Sequence, residues 1–389
     1  MSKTETTTEA KTSSKTESTQ ESKPESKSET TANPLDTTQP KTPLNSFEGL
    51  VFGLGNPLLD ISANVEPEFL KKYSLLANDQ ILATEKHKNM CKDMIEKYKM
   101  DYSAGGSIQN TLRVMQWFFQ KVPNVATYMG CIGNDGNGKI MESEAKNNKI
   151  NAIYLVDKTV STGVCACLIT DNGKNRSLIA YLGASLKFNI QHMLTNYQFV
   201  QKAKYIITSG YHLTVSFESI MNLAKHCETN DKIFLFCLSA PYVSTKHSKE
   251  LLQLYPYIDY LFANESESRE FSEMMNWSTH EIKEIASLMA DKDIEKKKRG
   301  RKVIITQGRA NVLLAYSGDP HIKEFDIIKV SQNKVIDTNG AGDAFVGGFL
   351  AQLICDKTID VCIKCGNYAA SEVIQQSGCK FPKVNKFKI

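Results

Sequence analysis

The sequence VIDTNGAGDAFVGGFL, residues 335–350, joins a short apolar run to an apolar helical pattern through a turn that contains two glycines. A turn between a strand-like and a helix-like segment is typical of α/β proteins. Gly340, Ala341 and Gly342 allow successive backbone N–H groups to point toward one place, and the helix start adds its positive end. The pattern therefore indicates a hole for an anionic group, with Asp343 beside it.

Asp343 has two interpretations. A carboxylate that the helix dipole holds ionised can accept a proton from an attacking hydroxyl. An ordinary α/β turn can also carry an aspartate near the helix cap. Taken alone, residues 337–343 favour neither a catalytic site nor a plain turn, so the rest of the chain has to decide.

Six short apolar segments precede this turn, and helical patterns lie between most of them. They are residues 50–53, 125–129, 205–208, 233–236, 260–262 and 303–306. Strands of this kind are typical of a parallel sheet that is covered on both faces. The sequence therefore predicts an α/β fold with a central, mostly parallel sheet flanked by helices.

Two stretches, about 59–105 and about 160–185, interrupt this alternation. In the second, residues 162–170 and 177–181 flank the turn residues 171–173 and predict a β-hairpin with a loop longer than the tightest kind. A small β-rich layer beside a large α/β layer predicts a lid over a ligand cleft.

Composition limits the function further. The 389 residues are 41% hydrophobic and carry 47 basic against 43 acidic side chains, a net charge of +4. This near balance creates no field that favours nucleic acid or an anionic membrane, and no apolar stretch approaches the roughly 20 residues that span a bilayer. We therefore expect a cytoplasmic protein with small-molecule partners, with the nucleus as a second compartment. The basic run at residues 296–302 favours a surface loop over a nuclear-localisation or anion-binding segment.

Residues 1–45 consist mostly of Thr, Ser, Glu and Lys and contain no aromatic side chain. Such a segment buries too little apolar area to offset the entropy of ordering it, so we predict a disordered, low-complexity tail. Residues 46–389 are left to form the folded domain.

The 10 cysteines lie mostly within apolar segments, which predicts reduced thiols that pack as small hydrophobic groups. Cys362 and Cys365 form a C-x-x-C pair, but no second pair of ligands follows at metal spacing. For this pair, packing on one helical face is favoured over a metal site.

Two further glycine-rich turns resemble nucleotide-binding loops and fail in detail. Residues 53–58 begin like the dinucleotide fingerprint, but Leu58 replaces the third glycine. Residues 133–140 match the first part of a P-loop, but Ile140 has no hydroxyl for Mg²⁺. Residues 337–343 remain as the candidate phosphate site.

The stretch DTNGAGDAF, residues 337–345, resembles the carboxy-terminal signature of the ribokinase-like (PfkB) carbohydrate and nucleoside kinases. Further segments are similar to the adenosine-phosphorylating members of that family. They are GNPLLDI at 55–61, NDQIL at 78–82, AGGSIQN at 104–110, NESE at 264–267 and TQGR at 306–309. The similarity runs from about residue 47 to about residue 382 and implies a ribokinase-like fold with a lid.

This resemblance implies an enzyme that transfers the γ-phosphoryl group of ATP to the ribose 5′-hydroxyl of adenosine, as in purine salvage. It implies Mg²⁺ as cofactor, a monomer, and Asp343 as the catalytic base in an anion hole of residues 340–342. Some family members are activated by K⁺, and such an ion would lie near Asp337. Two alternatives stay open: another nucleoside or a sugar as acceptor, and a catalytically silent nucleoside-binding protein.

On the acceptor side, the resemblance implies that Asp60 accepts hydrogen bonds from both ribose hydroxyls. The backbone at Gly105 and Gly106 would approach the sugar, and Asn56 and Asn110 would supply amides to it. The base would be enclosed by Leu58, Gln80, Leu82, Cys165, Leu178 and Asn339.

His212 is a departure from the family pattern. An aromatic platform for the base is expected at Tyr211-His212, and a neutral imidazole offers less stacking area than phenylalanine. We expect this departure to affect the affinity and selectivity for the base, and not the chemistry.

On the phosphate side, Arg176 resembles the family arginine that reaches the transferring phosphate when the lid closes. Taken alone, an arginine beside a turn would be assigned to surface charge. Asn264 and Glu267 match a motif that holds Mg²⁺, largely through water. Asn264, Thr306 and Gly308 would line the ATP side.

Overall fold

The structure, a computed structural model, describes residues 47–171, Gly173, residues 175–296 and residues 299–388. The predicted tail at residues 1–45 lies outside the described residues, as does part of the basic run at 296–302. The strands are β1 (Val51–Leu54), β2 (Leu58–Asn64), β3 (Gln80–Leu82), β4 (Asp101–Gly105), β5 (Ala126–Gly133), β6 (Asn151–Asp157), β7 (Thr162–Thr170), β8 (Asn175–Gly183), β9 (Tyr205–Ser209), β10 (Ile233–Cys237), β11 (Tyr260–Asn264), β12 (Lys302–Gln307), β13 (Ala310–Tyr316) and β14 (Lys323–Phe325). The α-helices are α1 (Pro67–Lys72), α2 (Met90–Lys97), α3 (Ser107–Trp117), α4 (Gly136–Asn147), α5 (Ile190–Thr195), α6 (Gln198–Lys202), α7 (Leu213–Thr229), α8 (Pro241–Lys246), α9 (Ser248–Leu254), α10 (Glu265–Met274), α11 (Ile282–Asp291), α12 (Ala341–Leu353) and α13 (Ile359–Val373).

Nine strands form the large sheet in the order β14-β13-β12-β11-β10-β9-β1-β5-β6. The strands from β12 to β6 in that order run parallel, whereas β13 and β14 pair antiparallel at one edge. All six strands expected from continuous apolar runs lie in this sheet. The predicted fold, a mostly parallel sheet flanked by helices, is confirmed.

The large sheet is covered on both faces because successive residues of its strands enter two different hydrophobic cores. Phe234 and Phe236 of β10 lie in one core, together with residues of α7, α10 and α11. Leu235 lies in the other core, together with residues of α3, α12 and α13. Helices on both faces explain why these strands are apolar without interruption.

The smaller sheet contains five strands in the order β3-β8-β7-β2-β4. The predicted hairpin is confirmed, because β7 and β8 pair antiparallel along their length. One face of this sheet buries Ala166, Leu168 and Ile179 in a core with residues of α1 and α2. The other face carries the polar side chains described below. The role of this layer as a lid, with bounds at about 59–105 and about 160–185, stays a prediction.

All ten cysteines carry free thiols, as the sequence predicted. Cys362 and Cys365 are both buried on α13, which confirms the packing interpretation of this pair. Within the described ranges, no helix combines the length and the apolar character that crossing a membrane requires.

Candidate active site

A cavity of about 490 Å³ lies where the carboxyl ends of the parallel strands face the polar side of the smaller sheet. Its volume is typical of small-molecule sites, and α/β proteins place ligands at this end of their strands. The predicted site residues that line it are Asn56, Leu58, Asp60, Gln80, Leu82, Gly106, Asn110, Cys165, Arg176, Leu178, Asn264, Glu267, Thr306, Gly308, Asn339, Gly340, Ala341, Gly342 and Asp343. The predicted residues Gly105 and His212 lie outside its lining.

Asp343 is the third residue of α12, and hydrogen bonds from α3 hold its carboxyl group in place. Ser107 Oγ donates to Oδ1 at 2.7 Å, and Asn110 Nδ2 donates to Oδ2 at 3.1 Å. Ser107 and Asn110 are three positions apart on a helix and therefore share a face. The start of α3 thus positions a carboxyl group at the start of α12.

Asn110 lines the cavity, and it also contacts Asp343, a role that the sequence did not predict beside its predicted contact with a sugar. Its Nδ2 donates to Asp343, and its Oδ1 accepts a hydrogen bond from Arg113 Nη1 at 3.2 Å. The amide is therefore a positioning group for Asp343. Ser107 was missed, although a hydroxyl three positions before Asn110 in the segment 104–110 was an available signal.

The carboxyl group of Asp343 is half-buried, and protein surrounds it except where it meets the cavity. This loss of water contacts raises its pKa to about 6, and the hydrogen bonds from Ser107 and Asn110 oppose the rise. The sequence predicted a pKa set by the helix dipole, and desolvation outweighs that effect. At neutral pH the group is still mostly ionised and able to accept a proton.

Gly340 and Gly342 differ in what a side chain would meet. Gly340 caps α12 with a φ of +74°, a conformation that favours glycine, and a Cβ there would lie 2.8 Å from the Cβ of Cys379. At Gly342 a Cβ meets no protein atom within 4 Å, because the space opens into the cavity. The first N–H groups of a helix have no partners inside it, so this open space is suited to an anion.

Asp60 lies on β2, and its buried carboxyl group lines the cavity. A Cβ at Gly105 would lie 2.3 Å from Asp60 Oδ1. Gly105 therefore makes room for this carboxyl group, which corrects the prediction that it lets the backbone approach a ligand. Gly106, with a φ of +93°, does line the cavity. Burial raises the pKa of Asp60 to about 7, and the charge of Arg176 opposes the rise.

The prediction that His212 forms an aromatic platform is wrong. His212 is fully buried behind the cavity, edge-to-face on Phe188 at 5.3 Å, and burial lowers its pKa to about 3. The neutral ring donates from Nδ1 to Asn56 Oδ1 at 2.6 Å, and Asn56 Nδ2 donates to the carbonyl of Tyr211 at 3.1 Å. Of these two neighbours, Tyr211 lines the cavity, and His212 holds the Asn56 amide in position.

Arg176 is buried on β8, so it is not a surface charge. Its Nη2 forms an ion pair with Asp337. Asp337 also accepts hydrogen bonds from the backbone N–H of Asn339 at 2.7 Å and of Gly378 at 2.6 Å. Within the part of the chain that the structure describes, Arg176 Nη1 is buried and has no hydrogen-bond partner. Arg176 thus joins the smaller sheet to the loop before α12 and keeps a donor for an anion.

Asn264 and Glu267 form a capping box at the start of α10. Glu267 Oε2 accepts from the Asn264 backbone N–H at 3.0 Å, and Glu267 Oε1 accepts from Asn264 Nδ2 at 2.6 Å. Burial raises the pKa of Glu267 to about 7. Both residues lie with Thr306 and Gly308 along the cavity.

The turn at residues 133–140 does not bind phosphate through its helix start. Asp135 caps α4, where its Oδ1 accepts from the N–H of Gly138 at 2.8 Å and its Oδ2 accepts from the N–H of Thr162 at 2.8 Å. The chain's own carboxylate therefore occupies the position that a phosphate takes in a P-loop.

Comparisons with known proteins identify relatives over most of the chain. Residues 68–386 match the model of the pfkB family carbohydrate kinases. Adenosine kinase 2 of Arabidopsis thaliana is 40% identical over 345 residues, which cover 88% of this chain and 99% of that protein. The crystal structure of Anopheles gambiae adenosine kinase in complex with P1,P4-di(adenosine-5) tetraphosphate matches with a TM-score of 0.84 and 45% identity, over 87% of this chain and 99% of that one. The structure of adenosine kinase from Schistosoma mansoni in complex with adenosine and AMP matches with a TM-score of 0.80 and 33% identity, over 86% of this chain and 98% of that one.

Proposed function

The chain belongs to the pfkB family of carbohydrate kinases, and we propose that it transfers the γ-phosphoryl group of ATP to the ribose 5′-hydroxyl of adenosine. The products are AMP and ADP, and the reaction belongs to purine salvage. Adenosine kinases of Arabidopsis thaliana, Dictyostelium discoideum and Anopheles gambiae match over 99%, 95% and 99% of their own length. The expectation of an ATP-dependent nucleoside kinase is thereby confirmed.

One observation carries the choice of acceptor. Asp60 and Asp343 face the same cavity, and the charge of Asp343 contributes to the raised pKa of Asp60. The Asp60 carboxylate offers two acceptor oxygens for two neighbouring ribose hydroxyls. With those hydroxyls held at Asp60, the 5′-hydroxyl at the other end of the sugar is directed toward Asp343.

Residues around the cavity then have separate roles in phosphoryl transfer. Asp343 accepts the proton of the 5′-hydroxyl as the oxygen attacks the γ-phosphorus, and Ser107 and Asn110 keep its carboxyl group in position. The start of α12, at Gly342, stabilises the negative charge on the phosphoryl oxygens. Arg176 Nη1 supplies further positive charge to those oxygens.

Mg²⁺ fits the pair of Asn264 and Glu267. The Glu267 carboxyl group accepts two hydrogen bonds from Asn264 and one from the backbone N–H of Ser239, which leaves one of its four lone pairs for a water molecule of the ion. Mg²⁺ prefers oxygen ligands and retains much of its water, so we propose that Glu267 holds the ion through water. When bound, the ion neutralises charge on the phosphates of ATP.

A K⁺ ion does not fit at Asp337. Its oxygens accept from the backbone N–H groups of Asn339 and Gly378, and the same carboxyl group pairs with Arg176. For the whole protein we propose a cytoplasmic monomer that contacts neither nucleic acid nor membranes.

An assay that couples ADP release to a colour change tests the proposal. The protein is supplied with Mg²⁺ and ATP and with adenosine, inosine or ribose in turn. We expect the highest kcat/KM with adenosine. We expect no turnover with ribose, because ribose has no base to contact the apolar walls of the cavity. A preference for another nucleoside overturns the assignment of the base, and binding of adenosine without ADP release overturns the assignment of an enzyme.

The substitution Gly342→Ala is expected to lower kcat by about 10²-fold or more while leaving the fold intact. The added methyl group meets no protein atom within 4 Å, so it occupies only the space assigned to the phosphoryl group. Steady-state kinetics and thermal unfolding of the same preparation measure the two effects.

Gly136→Ala is the matched control for Gly342→Ala, because Gly136 lies in the first turn of α4 and a Cβ there also meets nothing within 4 Å. We expect normal kinetics and unchanged or slightly raised stability, since alanine is the better helix former by about 1 kcal/mol. Equal turnover of the Gly342→Ala and Gly136→Ala variants contradicts the assignment of the anion hole.

Activity at low substrate concentration is expected to fall as the pH drops below about 7, because burial raises the pKa of Asp60 and of Glu267 to about 7 and both carboxylates are assigned to ligands. With adenosine and MgATP saturating, we expect kcat to fall as the pH drops through about 6, because the raised pKa of Asp343 lies there and only the ionised carboxylate accepts a proton. Ser107→Ala removes a hydrogen bond that lowers this pKa, so we expect the acidic limb of kcat to shift upward by about one pH unit. Thr111→Val, an isosteric change in the same helix, should leave the limb in place. An unshifted limb in Ser107→Ala contradicts Asp343 as the base.

A further inference from the structure

The thiols of Cys165 and Cys167 lie beside the carboxyl group of Asp60, which is proposed above to bind the ribose hydroxyls. A ligand atom from each of Asp60, Cys165 and Cys167 lies within 4.8 Å of the other two, and all three residues are buried. Asp60 and Cys165 are register partners on neighbouring strands, and Cys167 is two residues further along β7. Alternate residues of a strand share a face, so the three side chains project from the same side of the smaller sheet.

This donor set suits a thiophilic divalent ion. Zn²⁺ binds cysteine sulfur at about 2.3 Å in a tetrahedral arrangement, which places two sulfur ligands about 3.8 Å apart. Groups that already lie within 4.8 Å of one another need to move by about 1 Å or less. Mg²⁺ is a poor competitor, because it selects oxygen ligands in octahedral geometry.

Access to these ligands is through the acceptor end of the cavity. Asp60 and Cys165 line the cavity, and Cys167 is fully buried next to them. Three protein ligands leave a fourth tetrahedral position, which water would fill. An ion bound there would use a carboxyl oxygen of Asp60 that is assigned above to a ribose hydroxyl.

The charges nearby are compatible with such an ion. Two thiolates and one carboxylate around a divalent ion leave one net negative charge, and each thiol releases its proton to solvent. The positive charges of Arg176 and Arg113 act on Asp60, and the negative charges of Asp343 and Asp337 oppose them. Arg176, which also pairs with Asp337, therefore offsets part of the remaining negative charge.

We propose that Asp60, Cys165 and Cys167 form an inhibitory site for a soft divalent cation such as Zn²⁺ or Cd²⁺, which excludes the nucleoside. The exclusion rests on the proposed role of Asp60 in binding adenosine, whereas the binding of the ion does not.

The test uses the full-length, reduced protein and Cd²⁺ alone, without nucleoside or ATP. We expect one equivalent of Cd²⁺ to produce the ultraviolet charge-transfer absorption of cadmium thiolates. Cys167→Ala should lose this tight equivalent, and Cys167→Ser serves as a second variant if the alanine variant is unstable. Cys355→Ala, which removes a half-buried thiol outside the cavity, should retain it. Binding that survives in Cys167→Ala, or that is lost in Cys355→Ala, overturns the site.

Inhibition is measured separately, with adenosine, MgATP and a series of free Zn²⁺ concentrations. We expect inhibition to be competitive with adenosine and to weaken at least tenfold in Cys167→Ala, whose activity without Zn²⁺ is unchanged. Cd²⁺ absorption without competitive inhibition overturns the exclusion of the nucleoside. The proposed function fails in a different way: the wild-type protein, free of Zn²⁺ and Cd²⁺, then does not phosphorylate adenosine.

Discussion

Asp343→Asn is expected to lower kcat by about 10²–10⁴-fold, the usual contribution of a general base. Asparagine keeps the shape of the side chain and an oxygen that accepts from Ser107 Oγ, whereas its NH2 group faces Asn110 Nδ2, which loses its acceptor. The amide cannot accept the proton of the 5′-hydroxyl. The affinity for adenosine should change little, because the ribose hydroxyls are assigned to Asp60. Steady-state kinetics and calorimetric titration with adenosine measure the two quantities.

Thermal unfolding is the control: an unfolding temperature equal to that of the wild type would show that the Asp343→Asn variant is folded. If adenosine affinity falls in parallel with kcat, Asp343 contributes to binding and not to the chemical step. Turnover within about tenfold of the wild-type rate would falsify its assignment as the base.

Arg176→Met has the second largest expected effect, because Arg176 contributes to both stability and chemistry. Removing the arginine leaves the buried carboxylate of Asp337 without its ion-pair partner. Breaking a buried ion pair in this way costs about 3–5 kcal/mol, a large part of the stability of a typical protein. It also removes the charge proposed to act on the phosphoryl group, so kcat should fall by about 10³-fold or more.

The double variant Arg176→Met with Asp337→Asn separates these two effects. Replacing the carboxylate by a neutral amide removes the buried unpaired charge, so the free energy of unfolding should recover in part while kcat stays low. Arg269→Met is the surface control, because Arg269 pairs with Glu265 on the exposed face of α10 at 2.9 Å and such pairs contribute less than about 1 kcal/mol. Recovery of kcat in the double variant would show that Arg176 acts only through stability.

Those parts of the fold that depend on local pattern were predictable from the sequence. Continuous apolar runs identified six strands of the large sheet, because each of these strands is covered on both faces. The hairpin of β7 and β8 followed from two apolar runs around a polar turn. The glycines of residues 337–343 identified this loop. Only the further motifs, taken together, favoured a catalytic site there over a plain turn.

The sequence did not predict which side chains line the cavity and which are buried behind its lining. Tyr211 and His212 are neighbours in a short 3₁₀ turn, and only the structure shows that the first lines the cavity while the second is buried behind it. The pKa of Asp343 was misjudged for a related reason: the helix dipole can be read from a sequence, but the loss of water around a carboxyl group cannot.

Partners that are far apart in the chain were also beyond the sequence. The ion pair of Arg176 with Asp337 joins two different layers, and no local spacing marks it. Gly105 showed the same difficulty, since a glycine that makes room for a carboxyl group has no sequence signature that distinguishes it from one that makes room for a ligand.

The hydrogen bond between Ser107 and Asp343 joins residues that are 236 positions apart in the chain. Contacts of such long range form late and slowly during folding, because the entropy of closing the intervening chain has to be overcome first. The base is therefore oriented only after α3 and α12 have docked. We expect regain of activity to be the slowest event in refolding, and adenosine, which binds only the assembled cavity, to raise the free energy of unfolding of the domain.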